Sequence, residues 1–495
     1  MVLPRRDGAP VSARDAAPAP GSVALAVLLA GYVALFGGAA WFKYDAFLMG
    51  FDLAVHEQVL WNTAHGRIAA TSAFAATESY LGIDLIPSEL LLAPLYAVLP
   101  GVPTMLFLKT LVVALGAVAV ERLVRQHGGD HWSGVAFAAL YLLYLPVQYT
   151  NLYEFQIRAF ATTLLLWALW ALGRRDARLF WACIALALGC RSDVGLVVAG
   201  IGVWQLSERW WGAGRAASQR DRLAFGWLPV AIGLGWLVLA VGVLVPWFRG
   251  GAPFLYTRVI YGWLGDTPPA MLQTLVTRPG YVLGVIGSAD RLWYLFAMFV
   301  PFAFLAFGQP RLLLITAPIF ALNLLSSSPN IHASPRYHYQ AVIVPFLVLA
   351  AALTWLALAR RWPAWRTRSL LLLLVLAIGC NLAGRNPVLA LATRDDRDPA
   401  REATVARLIA LVPEDAALAT TSTIGPHVAR REALYFFPGN VIYPAGKLAL
   451  AEYLLVDARE ARPAGHAWLV AAQRDGQITL LAAADGVSLW RRSDP

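Results

Sequence analysis

Eleven apolar runs, each closed by a short polar break, leave this sequence few folds to choose from. They occupy 23–42, 104–120, 132–148, 160–172, 179–190, 194–206, 225–245, 292–307, 312–325, 341–359 and 369–382. A membrane-crossing helix needs about 20 apolar residues, and short or tilted helices extend the pattern to all eleven. Charge content agrees. Only 14% of the 495 residues are charged, against about 25% in an ordinary soluble domain. The sequence therefore predicts a polytopic α-helical membrane protein.

The net charge of +10 does not form a patch suited to nucleic acid, which is not an expected partner. Lys and Arg fall in short clusters between the runs: Arg5, Arg6 and Arg14 before the first, then Arg122 and Arg125, Arg174 to Arg178, Arg209 to Arg222, Arg311, and the loop RRWPAWRTR. Such clusters hold loops in the cytoplasm. They predict a disordered cytoplasmic tail over 1–22, with loops 43–103, 247–290 and 326–340 on the outer side. An odd number of spans then puts 383–495 outside as well. That tail is charged, with turn signals at 413–415 and 438–440. Apolar runs at 417–420, 453–456, 468–471 and 478–481 read as strands, and 401–411 reads as a helix, which together make a small α/β domain. In the first outer loop, 52–64 reads as an interfacial helix ended by Gly66, and 88–99 as another. Gly31 to Gly38 lie inside a run and suit close helix packing. The three cysteines lie in or at the ends of runs, without zinc spacing or a disulfide pattern. There is no phosphate-binding glycine loop, HExxH or nucleophile elbow.

Chemistry-bearing groups concentrate in the predicted outer loops. The stretch FDLAVHEQVLWNTAHG carries Asp52, His56 and Glu57. Five positions separate the two acids, about 140° around a helix. Asp52 fits a general base or a metal ligand, and equally an N-cap for a helix starting at Leu53. Glu154 either pairs with Arg158 at i,i+4 or brings a second acid. Arg191 and Asp193 form an ion pair or offer a phosphate ligand. His332, Arg336, Tyr337, His338 and Tyr339 suit an anion such as a lipid phosphate, or an interfacial belt. The aromatic loop 247–290 is placed to cover such a site.

Several of these segments are shared with a known family. On Phe51-Asp52 with Gln58, Trp61-Asn62 and Gly66, LLLAPLYAVLP, Tyr153-Glu154-Phe155, Asp193-Val194-Gly195-Leu196 and His338-Tyr339, the chain resembles prokaryotic multi-span proteins carrying a domain of unknown function. That family is similar to the GT-C glycosyltransferases. The resemblance covers nearly the whole chain. It implies a GT-C-like membrane domain over 23–382. It also implies transfer of a sugar from a polyprenyl-phosphate donor to an extracytoplasmic glycan, lipid or protein, with an essential acid in the first outer loop. Asp52 takes that role, with Glu57 and Glu154 as accompanying acids. Arg191, Arg336, His338 and Tyr339 are expected to hold the donor phosphate. His56, Asp84, Arg158, Asp193 and His332 are further candidates. The chain has Ile83-Asp84, Gln156-Ile157-Arg158 and Arg191-Ser192 where the family has Asp-His, His-Pro-Glu and Lys-Glu. No cofactor is assigned for that reason, and a divalent metal stays open. Two other classes fit the composition: a transporter or flippase of a lipid-linked substrate, and a non-catalytic scaffold. Polar groups at one face, without an internal repeat, favour transfer over transport.

Overall fold

The computed structural model describes residues 20–74, 77–207, 218–394, 397–437 and 445–493. Most of the N-terminal tail, Arg209, Arg215 and the turn at 438–440 lie outside them.

Every one of the eleven apolar runs is helical. In chain order the helices begin with α1 (Pro20–Asp45), α2 (Phe51–Ala64), α3 (Pro87–Leu90), α4 (Ala93–Val98) and α5 (Val102–Gln126). Next come α6 (His131–Leu143), α7 (Leu145–Leu152), α8 (Arg158–Arg174), α9 (Ala177–Leu188) and α10 (Val194–Ser207). They are followed by α11 (Gln219–Phe248), α12 (Leu255–Tyr261), α13 (Pro268–Thr277), α14 (Pro279–Ile286) and α15 (Ala289–Phe302). The last of the bundle are α16 (Pro310–Leu325), α17 (Val344–Arg361), α18 (Arg366–Ala383) and α19 (Pro387–Ala392).

Five helical stretches are long and apolar enough to cross a membrane: α1, α5, α11, α17 and Pro363–Ala392, which contains α18 and α19. The count is seven if each bent pair is one span. The first pair, α6 and α7, bends by 53°. Pro146 lies in the first turn of α7, where it removes a backbone donor that would have continued α6. The second pair, α14 and α15, bends by 57° across Gly287 and Ser288. The remaining runs make shorter helices: α8 has 17 residues, α9 12, α10 14 and α16 16.

Three expectations need correcting. The helix foreseen over 88–99 is broken into α3 and α4, because Pro94 has no N–H to give the carbonyl four residues back. The segment 247–290 is largely helical, containing α12, α13 and α14. Among the described residues Gly31, Gly37 and Gly38 have no close neighbour from another element, since a Cβ on any of them would meet no such atom within 4 Å. Close helix packing instead occurs where α10 crosses α11. A Cβ on Gly195 would come within 2.3 Å of the Gly233 carbonyl oxygen, and one on Gly233 within 2.4 Å of that of Gly195.

Beyond the bundle, helix α20 (Pro399–Ile409) precedes five strands, β1 (Leu418–Thr420), β2 (Leu434–Phe436), β3 (Tyr453–Asp457), β4 (Ile478–Ala484) and β5 (Val487–Arg492), with α21 (Pro463–Arg474) before β4. Strand order is β2-β1-β3-β5-β4. β1 runs parallel to β2 and β3, and β5 antiparallel to β3 and β4. The run 468–471 is not a strand but lies in α21. Its buried residues Gly465, Leu469 and Ala472 recur at helical spacing, which four apolar residues alone do not reveal. The buried Arg401–Asp457 pair ties α20 to β3.

This sheet domain is seated on α2. Gln58 donates to the carbonyls of Arg431 and Glu432 at 3.2 and 3.0 Å. Ser72 both donates to and accepts from the backbone of Leu434. The His427 imidazole stacks between Tyr44 and Phe47 and bonds the Tyr44 carbonyl.

Candidate active site

Helix α2 starts at Phe51, two residues earlier than a cap at Asp52 would allow. Its first free N–H groups are satisfied from far along the chain. The Phe51 N–H donates to Ser422 Oγ and the Leu53 N–H to Glu154 Oε2, each at 3.0 Å. Gly50 makes room for both, since a Cβ there would lie 2.5 Å from Ser422 Oγ and 3.2 Å from Glu154 Oε1. Glu154 thus does the capping that the sequence offered to Asp52. Burial and the neighbouring Asp52 charge push its carboxyl up to about 7, with the Leu53 N–H pulling the other way.

Asp52 is thereby released to face a cavity of about 200 Å³. Its Oδ2 accepts from the Tyr153 hydroxyl at 2.9 Å and from Gln156 Nε2 at 3.0 Å. Both bonds use one oxygen, which leaves Oδ1 for a substrate. His56, Asp84, Arg158, Arg191, His338 and Tyr339 share the lining with Asp52.

Across the cavity the charges alternate. Arg191 Nε lies 3.1 Å from Asp84 and 3.9 Å from Asp193, and Arg158 lies 2.8 Å from Asp193. Asp84 also accepts the backbone N–H groups of Leu85 and Ser192. Burial opposes the Arg191 charge, but Asp193 and Asp84 outweigh it and hold the guanidinium above its ordinary pKa. Burial raises Asp84, and Arg191 offsets part of that. Both guanidinium groups lie about 6 Å from the Tyr339 ring centre.

His338 is buried, and burial with Arg191 and Arg158 nearby drops its imidazole well below the usual range, so it is neutral. Its Nε2 sits 3.4 Å from Arg191 Nη1 and acts as acceptor, which puts the proton on Nδ1. Among the described residues that Nδ1 has no hydrogen-bond partner. His56 pairs with the buried Glu89 at 2.8 Å. Burial would depress its imidazole, but the Glu89 carboxylate lifts it above the ordinary value.

Other sequence candidates lie elsewhere. Glu57 does not line the cavity: the 140° turn carries it to another side of α2, where Tyr96 donates to it at 3.1 Å and Arg430 approaches to 4.0 Å. His332 binds Asp290 and the Ser326 carbonyl, each at 2.8 Å, joining α15 to the loop after α16. Arg336 turns to a second cavity. Sequence reasoning gave no role to Gln156, which holds Asp52, and noted Tyr256 only as part of a covering loop, although it lines the cavity. Nothing in the spacing ties positions 156 or 256 to position 52.

Among the described residues no three His, Cys, Asp or Glu side chains converge as a metal site. Of the cavity carboxylates, Asp84 is engaged by Arg191 and Asp52 by Tyr153 and Gln156, and the neighbouring Asp193 is engaged by Arg158. This donor set does not suit a divalent ion, and no step below runs through one.

A family model described as "Predicted membrane protein (DUF2079)" matches residues 43–489. The chain belongs to that family. No curated protein sequence matches this DUF2079 chain. Among solved structures, ArnT from Cupriavidus metallidurans bound to undecaprenyl phosphate is similar to it, with a TM-score of 0.53 and 14% identity over 93% of this chain and 98% of that one. The apo state of ArnT gives the same figures. The Archaeoglobus fulgidus oligosaccharyltransferase in complex with Zn and sulfate has a TM-score of 0.47 and 11% identity over 94% and 73% of the two chains. At such identity the likeness to ArnT establishes a GT-C type fold for the DUF2079 chain and nothing about its chemistry.

Proposed function

We propose that this protein transfers a sugar from a polyprenyl-phosphate donor to an acceptor hydroxyl on the outer side of the membrane. One observation carries the reading: Asp52, whose Oδ1 has no hydrogen-bond partner among the described residues, shares a single cavity with Arg191 and with His338, whose Nδ1 likewise has none among them. The acceptor O–H attacks the sugar C1, and its proton passes to Asp52 Oδ1. The bond from C1 to the phosphate oxygen breaks with inversion. The leaving phosphate gains a negative charge, which Arg191, the His338 Nδ1–H and Tyr339 receive. Arg191 spends Nε on Asp84 and one Nη1–H on His338, so its remaining terminal N–H groups stay available to the phosphate. Asp84, Asp193 and Arg158 keep the cluster in place. In this reading 1–22 is cytoplasmic, 23–382 is the membrane domain, and 383–495 is an outer domain that completes the acceptor side.

Mass spectrometry of the detergent-purified protein tests this. A polyprenyl phosphate, with or without its sugar, is expected to co-purify with the wild type and to be lost from Arg191→Gln. Recovery of ordinary phospholipids alone from both would remove the donor assignment. A flippase moves its lipid without consuming it, so release of free polyprenyl phosphate on adding acceptor separates the two classes.

Glu57 provides a contrast. Burial pushes it up to about 7, against the pull of Arg430. Unfolded glutamate titrates near 4.3, so the folded state holds the proton more tightly. The stability linked to Glu57 is therefore fully present below about pH 4.3 and is lost as pH rises through 7. In Glu57→Gln the fall in melting temperature from pH 5 to 8 should flatten by roughly a few degrees, with turnover at the wild-type level. A large loss of turnover would return Glu57 to the mechanism.

A further inference from the structure

The residues expected to share the donor phosphate do not stay together. Arg336, two positions from His338, borders a second cavity of about 200 Å³ with Lys43, Tyr149, Tyr153 and Arg394. Tyr153 is the wall between the two spaces. It lines the second cavity, while its hydroxyl bonds Asp52 in the first.

The charge balance differs between the two. In the Asp52 cavity each guanidinium is matched by a carboxylate. Among the described residues the second cavity has Lys43 and Arg336 in its wall and no Asp or Glu. Lys43 is fixed by a 3.0 Å bond to the Leu152 carbonyl, and Arg336 by lying over the Tyr149 ring at 5.7 Å. Neither takes part in an ion pair among the described residues. The acid that acts on Lys43 is Glu154, which is pushed up to about 7 and bonded to the Leu53 N–H. A compact ammonium and a planar guanidinium, neither in an ion pair among the described residues, match the double charge of a phosphate monoester better than the single charge of a carboxylate.

We propose that the second cavity anchors a phosphate group carried by the acceptor, separate from the hydroxyl that reacts at Asp52. The term acceptor rests on the transferase reading, whereas the anion site does not. Tyr153 then stands between the anchor and the reacting oxygen, so an acceptor must hold the two groups about a tyrosine ring apart.

The test uses the full chain in neutral detergent, with melting followed by tryptophan fluorescence. Inorganic phosphate and dihexanoyl phosphatidic acid are titrated, with dihexanoyl phosphatidylcholine as the control. Both anions should raise the melting temperature saturably, and the zwitterion should not. Arg336→Gln, an exposed position, should weaken binding by about tenfold, and Lys43→Gln should act in the same direction. Asp52→Asn should bind as the wild type does. Tighter binding of phosphatidic acid than of phosphate assigns the anion to a lipid headgroup, and equal binding assigns it to a free or sugar-borne phosphate; either supports the site. The proposal fails if the wild type shows no saturable response, if Arg336→Gln binds like the wild type, or if Asp52→Asn loses the anion. Intact anion binding without any turnover would sink the transferase reading and leave this site standing.

Discussion

Replacing Asp52 by Asn is expected to lower sugar transfer by about 10²- to 10⁴-fold, the usual contribution of a positioned general base. The substitution changes little else. An Asn Oδ1 can still accept from Tyr153 and Gln156, which donate to Asp52 at 2.9 and 3.0 Å. The start of α2 is held by Glu154 and Ser422 rather than by the Asp52 side chain. Expression, melting temperature and donor co-purification should therefore match the wild type. Turnover with radiolabelled or mass-tagged donor reads the effect, and a variant that kept near-normal turnover would take Asp52 out of the chemistry.

Arg191→Gln is the second large effect, and it has two parts. It removes the guanidinium proposed to meet the leaving phosphate, and it strands Asp84, whose carboxylate is buried beside it. Breaking a buried ion pair from one side costs roughly 3–5 kcal/mol, enough to reduce the folded yield. The double variant Arg191→Gln with Asp84→Asn separates the parts. Neutralising the stranded acid should restore yield and melting temperature, because an Asn Oδ1 can accept the same N–H groups from Leu85 and Ser192. Turnover should stay lost. If turnover returned with stability, Arg191 would be only a structural partner of Asp84.

How much of this the sequence disclosed depends on the range of the interaction. Apolar periodicity and basic flanks are local, and they located all eleven helical runs and α20. They did not locate β2 or β5, whose short stretches owe their pairing to strands elsewhere in the sheet. Short apolar runs also carry no period of their own, which is why 468–471 read as a strand and lies in α21. At the site, Asp52, Arg191, His338 and Tyr339 were legible as residue types in the right kind of loop. Their grouping was not. Arg336 and His338 are near neighbours in sequence, yet they border different cavities. Asp52 also looked as much like a cap as a base, and what decides between those is the carboxylate of Glu154, 101 positions after the Leu53 N–H it accepts.

The two residues that complete the first turn of α2 bear on how the protein matures. Ser422 lies 371 positions after the N–H it receives. A ribosome feeding this chain into the membrane emits Asp52 early and Glu154 soon after, yet Ser422 is synthesised only in the final fifth. The first turn of α2 is thus fully bonded only once the sheet domain has been made and has packed against it.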